Sequence, residues 1–600
     1  MDRKGKLGVA LSIIALIAWQ IYYSQELNRT KLAQQQAAET TATATQNPAG
    51  PQSVSAESTP AGAPTPSSTN TPAAASGTAA TATLAPSQSE PKQTLKLESE
   101  GAEWVFSNRG GGIERVVLKG HRTESDKLVS LNEFGNVPIG ALTEAYENPV
   151  LETFSMEAGS DNRSVVFRRT DPRQISIVKS FSLQKTEDAA KQKWPETHIA
   201  HLEVRITNQS SSPVTVPAYA VRAGSGAPLH LKDLPIYTGF NRMISTNSKF
   251  LDTSWFDGGG FLGFGKTPRP VYSETGGISW IGVTNQYYAT ILSCIGSTGS
   301  EALASRIVVA PADWSATGRA ADGQIPYAVE GAMRLTSQSL EPGKEIIHKF
   351  SIYAGPREFS RLQALGGGQE DMLDFGMFSI VSRVLLASMN GLNGMLGSYA
   401  AAIILLTIFI KLLMWPLQTK STNSMKRMQE LQPKMTALKE KYADDPARMN
   451  QELLVLYKKH GVNPMSGCLP MLIQIPIFFG FYNMLGKAVE LRNSPFLWVH
   501  DLSQPDTVAQ LAGYPVNVLP LVMAVTMLWQ MQLTPKTGDP VQQRMFMFMP
   551  LIFIVFCYNF ASALSLYWTV QNVFTIVQLT ITNRNKSSGL QKTAAMVKKT

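Results

Sequence analysis

Five apolar segments in the C-terminal third most strongly restrict what this chain can fold into. Each is about as long as the run of residues that an α-helix needs to cross a bilayer. A segment in lipid must satisfy its own backbone hydrogen bonds, so these segments predict membrane-spanning helices. A sixth apolar run, residues 7–23, lies near the N-terminus, and the chain is therefore predicted to be a multi-span α-helical membrane protein with six transmembrane helices. The C-terminal spans are expected at about residues 396–415, 468–485, 516–533, 545–560 and 561–581.

The basic residues between these segments predict their orientation, because loops on the cytoplasmic side of a membrane carry an excess of Lys and Arg. The loop 487–515 contains only Lys487 and Arg492, whereas the tail 584–600 contains five basic residues and no acid. We therefore expect the loop 417–467 and both termini in the cytoplasm, and the loop 487–515 on the outer side. The basic residues of the first loop are Lys420, Lys426, Arg427, Lys434, Lys439, Lys441, Arg448, Lys458 and Lys459.

The N-terminal segment, residues 1–27, is predicted to be an uncleaved signal anchor. The alternative, a cleaved signal peptide, needs small residues at its cleavage site, but Trp19 and Gln20 follow Ala18. Residues 28–94 consist largely of Ala, Thr, Ser, Pro and Gln. Such a composition cannot bury enough apolar surface to offset its conformational entropy, so we expect a disordered tether.

Residues 95–365 have the pattern of a large β-domain on the exported side of the membrane. Short runs rich in β-branched and aromatic residues, such as 103–106, 164–167 and 202–206, alternate with clusters of glycine, proline and asparagine. This pattern predicts a mostly antiparallel periplasmic β-sandwich with its own core.

Residues 366–395 link this domain to the apolar spans. Within them, helical spacing places Phe375, Phe378, Val381 and Leu385 on one side. We therefore predict an amphipathic helix that lies in the membrane interface.

One sequence matches the phosphate-binding P-loop pattern, from Gly260 to Thr267. A P-loop needs a strand before it and a helix N-terminus after it, but Pro268 and Pro270 follow at once. The predicted topology also places this loop outside the cytoplasm. We interpret it as a glycine-rich surface loop.

Other enzyme and metal signatures are missing from the sequence. Cys294, Cys468 and Cys557 are far apart, and the seven histidines are scattered. A Ser/Lys peptidase would need a lysine beside a nucleophile in the exported domain, and no such pair is singled out. We predict no cofactor, no metal and no enzymatic activity.

Lys411 is the most informative residue of the predicted spans. A lysine near the centre of a lipid-facing helix costs roughly 2.5–3.5 kcal/mol. Lys411 is also close to the end of its span, so its ammonium could simply extend to the cytoplasmic headgroups. From its position alone, a role of Lys411 inside the helix bundle and a simple extension to the headgroups are equally well supported.

Further polar residues occur in the neighbouring spans. Thr407 lies on the face of Lys411, Gln474 is in the next span, and Thr526 and Gln530 share a face of the one after it. The last span carries two adjacent stripes of polar side chains. Each residue could serve only to hold helices together; together with Lys411 they favour a water-accessible cavity inside the bundle. The stripes are Ser565, Thr569 and Asn572, and Gln571, Thr575 and Gln578.

The cytoplasmic loop 417–467 is predicted to form a helical hairpin with a seam of apolar residues. Its methionines could also contact varied apolar peptides, because methionine is adaptable; a role in the hairpin core is favoured. The seam residues are Met425, Met428, Leu431, Met435, Met449, Leu453 and Leu456.

Several motifs occur in order along the chain. They are Lys411 to Leu417, Met425 to Lys434, Val462 to Pro464, Gly467 to Pro470, Gln474 to Phe478 and Leu566 to Trp568 in the membrane part, and Trp280 to Thr284 and Tyr353 to Pro356 in the exported domain. Together these motifs resemble the YidC family of membrane protein insertases, in its Gram-negative form with a large periplasmic domain. The resemblance covers nearly the whole chain apart from the tether, and the order of the motifs is more specific than any one of them.

The resemblance implies a periplasmic β-supersandwich, an insertase core at 396–583 and a basic cytoplasmic tail at 584–600. It implies a chaperone in the bacterial inner membrane that integrates and folds other membrane proteins, alone or with the Sec translocon. A positively charged hydrophilic groove would receive the substrate, without nucleotide and without DNA. The ribosome and the signal recognition particle with its receptor would meet the hairpin and the tail. The expected groove residues are Lys411, Thr407, Gln474, Trp568, Asn572 and Gln530.

The chain departs from the family pattern at two places. The family usually has arginine at the position of Lys411, and lysine keeps the charge but lacks the planar guanidinium fork. The family also has Pro and Gly in the turn before the last span, where this chain has residues 560–564 without either.

Two other classes of protein make different predictions. A secondary transporter would show repeats among its spans, and the sequence has none. A sugar-binding or carbohydrate-active sandwich would need convergent carboxylates or aromatic residues, and a β-sandwich fold alone does not establish such a site.

Overall fold

The structure, a computed structural model, describes residues 91–597 with several gaps. The predicted signal anchor, nearly all of the predicted tether, residues 260–266 of the P-loop-like sequence and residues 545–547, 549–551 and 556 of the predicted span 545–560 lie outside the described residues. The gaps are residues 124–125, 185–197, 231–232, 259–266, 310–325, 444, 462–468, 512–513, 535–547, 549–551 and 556.

The N-terminal part of the described chain is a β-domain. Its strands alternate buried and exposed residues: in Ile199–Asn208, for example, Leu202, Val204 and Ile206 are buried and Glu203 and Arg205 are not. The strands are β1 Thr94–Glu98, β2 Ala102–Ser107, β3 Gly112–Arg122, β4 Leu128–Leu131, β5 Leu142–Thr143, β6 Ser155–Ala158, β7 Ser164–Thr170, β8 Ile175–Leu183, β9 Ile199–Asn208, β10 Val214–Val216, β11 Tyr219–Gly226, β12 Gly239–Ile244, β13 Asn247–Asp252, β14 Val271–Thr284, β15 Tyr288–Ile295, β16 Gly299–Val308, β17 Tyr327–Leu335, β18 Gln338–Leu340 and β19 Glu345–Pro356.

These strands form a β-sandwich, as predicted. β1 to β4 make a four-stranded sheet in sequence order, and a thirteen-stranded sheet has the order β5-β11-β17-β16-β14-β15-β19-β9-β8-β7-β6, with β12 beside β14 and β13 beside β12. The pairings in both sheets are antiparallel. Phe106 of the first sheet meets Phe181 of the second, with ring centroids 5.3 Å apart in a T-shaped arrangement. The shared core lies between the two sheets, where both bury their apolar faces.

Lys179 is a charged residue inside this core. It lies on β8 and is fully buried. Its Nζ donates hydrogen bonds to the carbonyl oxygens of Gly110, at 2.8 Å, and Gly140, at 2.9 Å. It also lies 5.0 Å from the centroid of the Phe154 ring. Burial lowers the pKa of Lys179 to about 7, because an apolar core disfavours the charged form.

The C-terminal part is helical. The helices are α1 Phe359–Leu365, α2 Ser379–Leu396, α3 Tyr399–Lys441, α4 Pro446–Lys459, α5 Leu469–Lys487, α6 Val518–Leu533 and α7 Ser562–Val597. Residues 552–555 are helical as well. Of the described helices, α3 is long and apolar enough to cross a membrane by length and composition, and α6 is a shorter apolar helix.

Helix α3 is longer than the sequence suggested. Gly397 ends α2 in a left-handed conformation with φ of 67°, and the side chain of Ser398 accepts a hydrogen bond from the Ala401 N–H at the start of α3. We expected a break between the span and the cytoplasmic hairpin, but α3 continues through Pro416 and Pro433. Proline removes one backbone donor and often kinks a helix without ending it.

The predicted helical hairpin consists of the second half of α3 and α4. Asp445 caps α4, because its carboxylate accepts the backbone N–H of Arg448 at 3.0 Å. The Tyr457 hydroxyl of α4 lies 3.7 Å from the Met435 sulfur of α3. Met435 is one of the predicted seam residues.

Helix α2 lies against α5. The Ser382 hydroxyl donates to the carbonyl oxygen of Gly480 at 3.1 Å. A Cβ atom at Gly480 would lie 2.8 Å from the Val381 side chain, so this close approach requires glycine. Phe378 stacks on Phe479 with centroids 6.1 Å apart. Phe378 and Val381 were expected to share the apolar face of an interfacial helix.

The loop between α5 and α6 contains a feature that the sequence analysis did not predict. β20 Thr507–Leu511 and β21 Tyr514–Asn517 form a small antiparallel hairpin. Nearby, the N–H groups of Ser562 and Ala563 donate to the carbonyl oxygens of Gln504, at 2.9 Å, and Leu502, at 3.0 Å. These bonds hold the turn before α7, which lacks the Pro and Gly usual in the resembled family.

The β-domain contacts the segments that flank the helices. The Trp280 indole N–H donates to the carbonyl oxygen of Gly367 at 2.8 Å. The Arg492 guanidinium donates to the Tyr288 hydroxyl at 2.8 Å and to the carbonyl oxygen of Arg122 at 2.9 Å. The described β-domain is therefore fixed to the helical part by direct hydrogen bonds.

Candidate functional site

Lys411 lies inside the helix bundle formed by α3, α5, α6 and α7. Its residue surface is 4% exposed. Its Nζ donates to the Thr575 hydroxyl of α7 at 3.2 Å. Among the described residues, Lys411 forms no salt bridge. The ammonium thus faces α7 rather than leaving the bundle, and it meets a neutral hydroxyl.

Polar side chains continue along the same face of α7. Gln571, Thr575 and Gln578 follow the spacing of one helical face. Gln474 of α5 donates to the Gln571 side-chain oxygen and to the Tyr567 hydroxyl, both at 3.2 Å. We call Gln474, Lys411, Tyr567, Gln571, Thr575 and Gln578 the polar column.

The polar column extends towards the basic end of α3. Gln578 donates to the carbonyl oxygen of Trp415 at 3.3 Å and to the Thr419 hydroxyl at 3.4 Å. Its side-chain oxygen is buried with no partner among the described residues. The column therefore combines one ammonium with neutral groups whose hydrogen-bonding capacity is only partly used.

Three of the predicted groove residues lie beside the column rather than in it. The Thr407 hydroxyl donates to the carbonyl oxygen of Ile403 on its own helix at 2.7 Å. Asn572 donates to the Thr526 hydroxyl of α6 at 3.1 Å, so it joins α7 to α6. The side-chain oxygen of Gln530 is buried and has no partner among the described residues. The roles of these three residues in a groove stay predictions.

Trp568 belongs to an aromatic layer next to the column. Its ring centroid lies 4.9 Å from that of Phe478 and 4.7 Å from that of Phe553. Tyr567 stacks on Phe481 with centroids 4.1 Å apart. These rings pack α5 against α7 at the end of the column that is farther from Gln578.

The sequence analysis identified Lys411 and Gln474 but did not place Gln571, Thr575, Gln578 and Tyr567 among the groove residues. The spacing of the first three was visible as one of two adjacent polar stripes on the last span. Sequence periodicity could not decide which stripe faces Lys411, because that depends on the rotation of α7 against α3.

The chemistry of the polar column follows from its side chains, which are one amine, three amides and two hydroxyls. Within the described ranges, no group of three or more His, Cys, Asp or Glu residues is arranged to hold a metal ion. The column offers hydrogen bonds and a positive charge. Such a set can attract and hydrate an anionic or polar group.

Comparison with known proteins identifies the family. The family model for the YidC periplasmic domain matches residues 94–387, and the model for the 60Kd inner membrane protein matches residues 391–589. The chain is 30% identical over 595 residues to a membrane protein insertase YidC of Syntrophus aciditrophicus, with 96% of this chain and 98% of the relative covered. It is 31% identical over 506 residues to that of Pelobacter propionicus, with 80% and 84% covered.

A crystal structure of an active YidC insertase with its first transmembrane domain resolved covers 82% of this chain and 93% of its own, at 17% identity and a TM-score of 0.32. At that TM-score the structural likeness adds nothing to the assignment, which rests on the sequences. The two family models together match most of the chain, on both the β-domain and the helical part. The chain belongs to the YidC family of membrane protein insertases, as an inner membrane protein with a periplasmic domain.

Proposed function

We propose that this chain inserts helices of other inner-membrane proteins by means of the polar column around Lys411. The observation that carries the proposal is the contact of the buried Lys411 ammonium with a neutral hydroxyl instead of a carboxylate. An ammonium with three donors and one described acceptor keeps capacity for another partner. The acidic or polar tail of an incoming protein supplies that partner.

Electrostatics favour contact between the tail and Lys411. An ammonium in a low-dielectric surrounding attracts a carboxylate more strongly than it does in bulk water. The polar groups of the column hydrate the tail and lower the cost of moving it through the bilayer. Thr407, Gln474, Asn572 and Gln530 contribute to this hydration, and Trp568 lines the aromatic end. No nucleotide takes part.

The proposed topology has six transmembrane helices, both termini in the cytoplasm and the β-domain in the periplasm. The apolar side chains exposed on α3 support a lipid-facing surface: Phe409 is 63% and Leu413 69% exposed. The substrate helix moves along the third span, α5, and the fifth, which is predicted at 545–560. The column then opens to the cytoplasm near Gln578, and the aromatic layer closes its other end.

Cytoplasmic partners follow from the same topology. The end of α3 carries Lys439 and Lys441 in its last turn, and α4 carries Lys458 and Lys459. Basic surfaces suit RNA-bearing partners. We propose that the hairpin and tail contact the ribosome and the signal recognition particle or its receptor, and that the chain acts alone or beside the Sec translocon.

The test uses depletion of the protein in its own host, with a single-span substrate that has a short acidic exported tail. Wild type and the variants Lys411→Arg, Lys411→Ala and Lys411→Glu are supplied back. Exposure of the tail is then followed by its digestion with added protease. We expect wild type and Lys411→Arg to restore export of the tail, and Lys411→Ala and Lys411→Glu to restore it poorly.

Rescue by all four versions would remove Lys411 from the mechanism but keep insertion as the function. Normal insertion of this and several other substrates after depletion would contradict the insertase function itself. A secondary transporter would then be the class to examine.

A further inference from the structure

A cavity of about 300 Å³ lies where the β12–β13 hairpin meets the segment that leads into α2. We call it the junction cavity. It is separate from the polar column and takes no part in the proposed insertion step. The lining residues that matter here are Asn241, Phe250, Glu370, Asp371, Asp374 and Arg383.

Asn241 is a buried polar residue at this cavity. It lies on β12 and is 1% exposed, yet neither atom of its side-chain amide has a hydrogen-bond partner among the described residues. An unpaired buried amide is unfavourable, because it has lost its hydrogen bonds to water. A ligand that both donates and accepts hydrogen bonds would pair both atoms.

The charges of the cavity indicate the kind of ligand. Asp371 forms a salt bridge with Arg383 at 2.9 Å. Glu370 has a buried carboxylate oxygen without a partner among the described residues. Asp374 is close to one further cation, since Lys487 donates to its backbone carbonyl oxygen. The three carboxylates therefore exceed the two cations by one negative charge, which favours a ligand with a positive group.

Arg383 adds a second requirement. Its Nη2 is engaged by Asp371, but its Nε is buried and lacks a partner among the described residues. An anionic acceptor such as a phosphate oxygen makes a stronger hydrogen bond to a guanidinium N–H than a neutral acceptor does. The cavity thus favours a positive group near its carboxylates and an anionic group near Arg383.

A bare metal ion fits these requirements poorly. A cavity of about 300 Å³ is at the size of small-molecule sites. The described residues also contain no group of three or more His, Cys, Asp or Glu arranged to hold a metal. A metal ion also would not supply a hydrogen-bond acceptor to Arg383.

The surroundings point to a lipid. Gly376, Ser379 and Arg383 line the cavity. Three apolar side chains next to them in the sequence are exposed. Met377 is 90%, Ile380 77% and Val384 61% exposed. This step rests on the proposed topology, which places α2 at the periplasmic surface of the membrane, where these side chains meet acyl chains.

We infer that the junction cavity binds the phosphoethanolamine headgroup of a membrane phospholipid. The ammonium lies between the carboxylates of Glu370 and Asp374. The phosphate accepts from Arg383 Nε and from the Asn241 amide, whose oxygen accepts an ammonium N–H. The acyl chains extend along Met377, Ile380 and Val384.

The test is a lipid titration of the purified full-length protein in detergent, followed by native mass spectrometry. Short-chain phosphatidylethanolamine is compared with phosphatidylcholine, whose ammonium cannot donate, and phosphatidylglycerol, which has no ammonium. Because each lost hydrogen bond to a charged group is worth about 1.5–3 kcal/mol, we expect phosphatidylethanolamine to bind about tenfold tighter than either. Equal binding of the three lipids would overturn the inference without any variant.

Variants locate the site. Glu370→Gln and Arg383→Gln should each weaken phosphatidylethanolamine binding about tenfold, whereas Glu341→Gln, at an exposed acid outside the cavity, should not. Unchanged binding in both cavity variants would overturn the assignment.

Two soluble probes test whether the ligand is the lipid, its free headgroup or a cation. Free phosphoethanolamine should bind more weakly than the lipid, because it lacks acyl chains; equal binding would overturn the lipid assignment. Calcium alone should not compete, and competition would replace the headgroup by a cation. These measurements do not involve insertion, so their failure leaves the polar column proposal intact, and the reverse also holds.

Discussion

Lys179 in the β-domain and Lys411 in the helix bundle are both buried lysines, but their surroundings differ. Lys179 donates to two backbone carbonyl oxygens and lies over an aromatic ring. Lys411 donates to one side-chain hydroxyl, on a different helix. The two carbonyls belong to the backbone of loops in the β-domain, whereas the acceptor of Lys411 is a single side-chain hydroxyl, which itself donates to the carbonyl oxygen of Gln571. Burial of a cation alone therefore does not indicate function; the number and rigidity of its partners do.

The same comparison separates the two parts of the molecule. In the β-domain, the partners of the lysine come from the loops after β2 and β4, which the sandwich holds in place. In the bundle, the lysine and its partner lie on two different helices, α3 and α7. We therefore expect Lys179 to determine stability and Lys411 to determine activity.

The largest effect should come from reversing the charge at Lys411. With Lys411→Glu, export of an acidic tail should fall about tenfold or more, since an attraction between unlike charges becomes a repulsion. Export of a matched lysine tail should fall less or improve. Protease digestion of both tails measures the ratio; an equal loss for the two tails would contradict a charge-based role.

Truncation of Lys179 should act on stability. Lys179→Ala removes the donor to two carbonyl oxygens and leaves a cavity, so the β-domain should lose about 2–4 kcal/mol. Hydrogen exchange of β8 peptides in the full-length protein under increasing urea would measure this loss. Insertion at a permissive temperature should remain normal, and a large insertion defect in a folded Lys179→Ala protein would break the comparison.

The pH dependence of stability should be a smaller effect with a defined sign. The pKa of Lys179 is lowered to about 7 in the folded protein, while in the unfolded chain it is near 10.4. Between these values the unfolded state binds more protons, so the free energy of unfolding should rise with pH, by at most about 1.4 kcal/mol per unit. Below pH 7 the contribution to the slope should vanish.

The control for this pH effect is Lys179→Met, which has no titratable group at that position. Urea midpoints of the β-domain at several pH values should give a shallower slope for the variant than for wild type. Parallel slopes would show that Lys179 is charged in the folded protein at all these pH values.

The smallest effect should come from the hydroxyl partner of Lys411. Thr575→Val keeps the shape of the side chain but removes the acceptor, and we expect insertion to fall about two- to threefold, which corresponds to one weak hydrogen bond. Thr580→Val is the matched control, since Thr580 is exposed on the same helix and bonds within it. An equal loss in both variants would assign the effect to α7 as a whole.

Much of the fold follows from local patterns in the sequence. Alternation in residues 202–206 predicted a strand that the structure has as part of β9. The apolar runs predicted α3, α5, α6 and α7 to within a few residues at their first turns. Both patterns are local: alternation shows which face of a strand is buried, and a long apolar run shows that a helix avoids water.

The remainder depends on contacts between elements. The β20–β21 hairpin was missed because Pro515 within it is unusual for a strand. Thr575 was not chosen as a partner of Lys411 because two polar stripes on α7 are equally plausible in sequence. The continuity of α3 was missed because the apolar span was predicted to end at Trp415, where the apolar run stops, although the helix continues into the polar segment.

The length of α3 has a mechanical consequence. At about 1.5 Å per residue, the 43 residues of this helix form a rod of roughly 65 Å. The part beyond Pro416 is a lever arm of nearly 40 Å, so a tilt of about 5° at that proline displaces its far end by about 3 Å. Lys411 lies close to the pivot and moves very little. Gln578 of α7 bonds to Trp415 and Thr419, on the two sides of Pro416, so the base of this arm is anchored to α7 next to the ammonium.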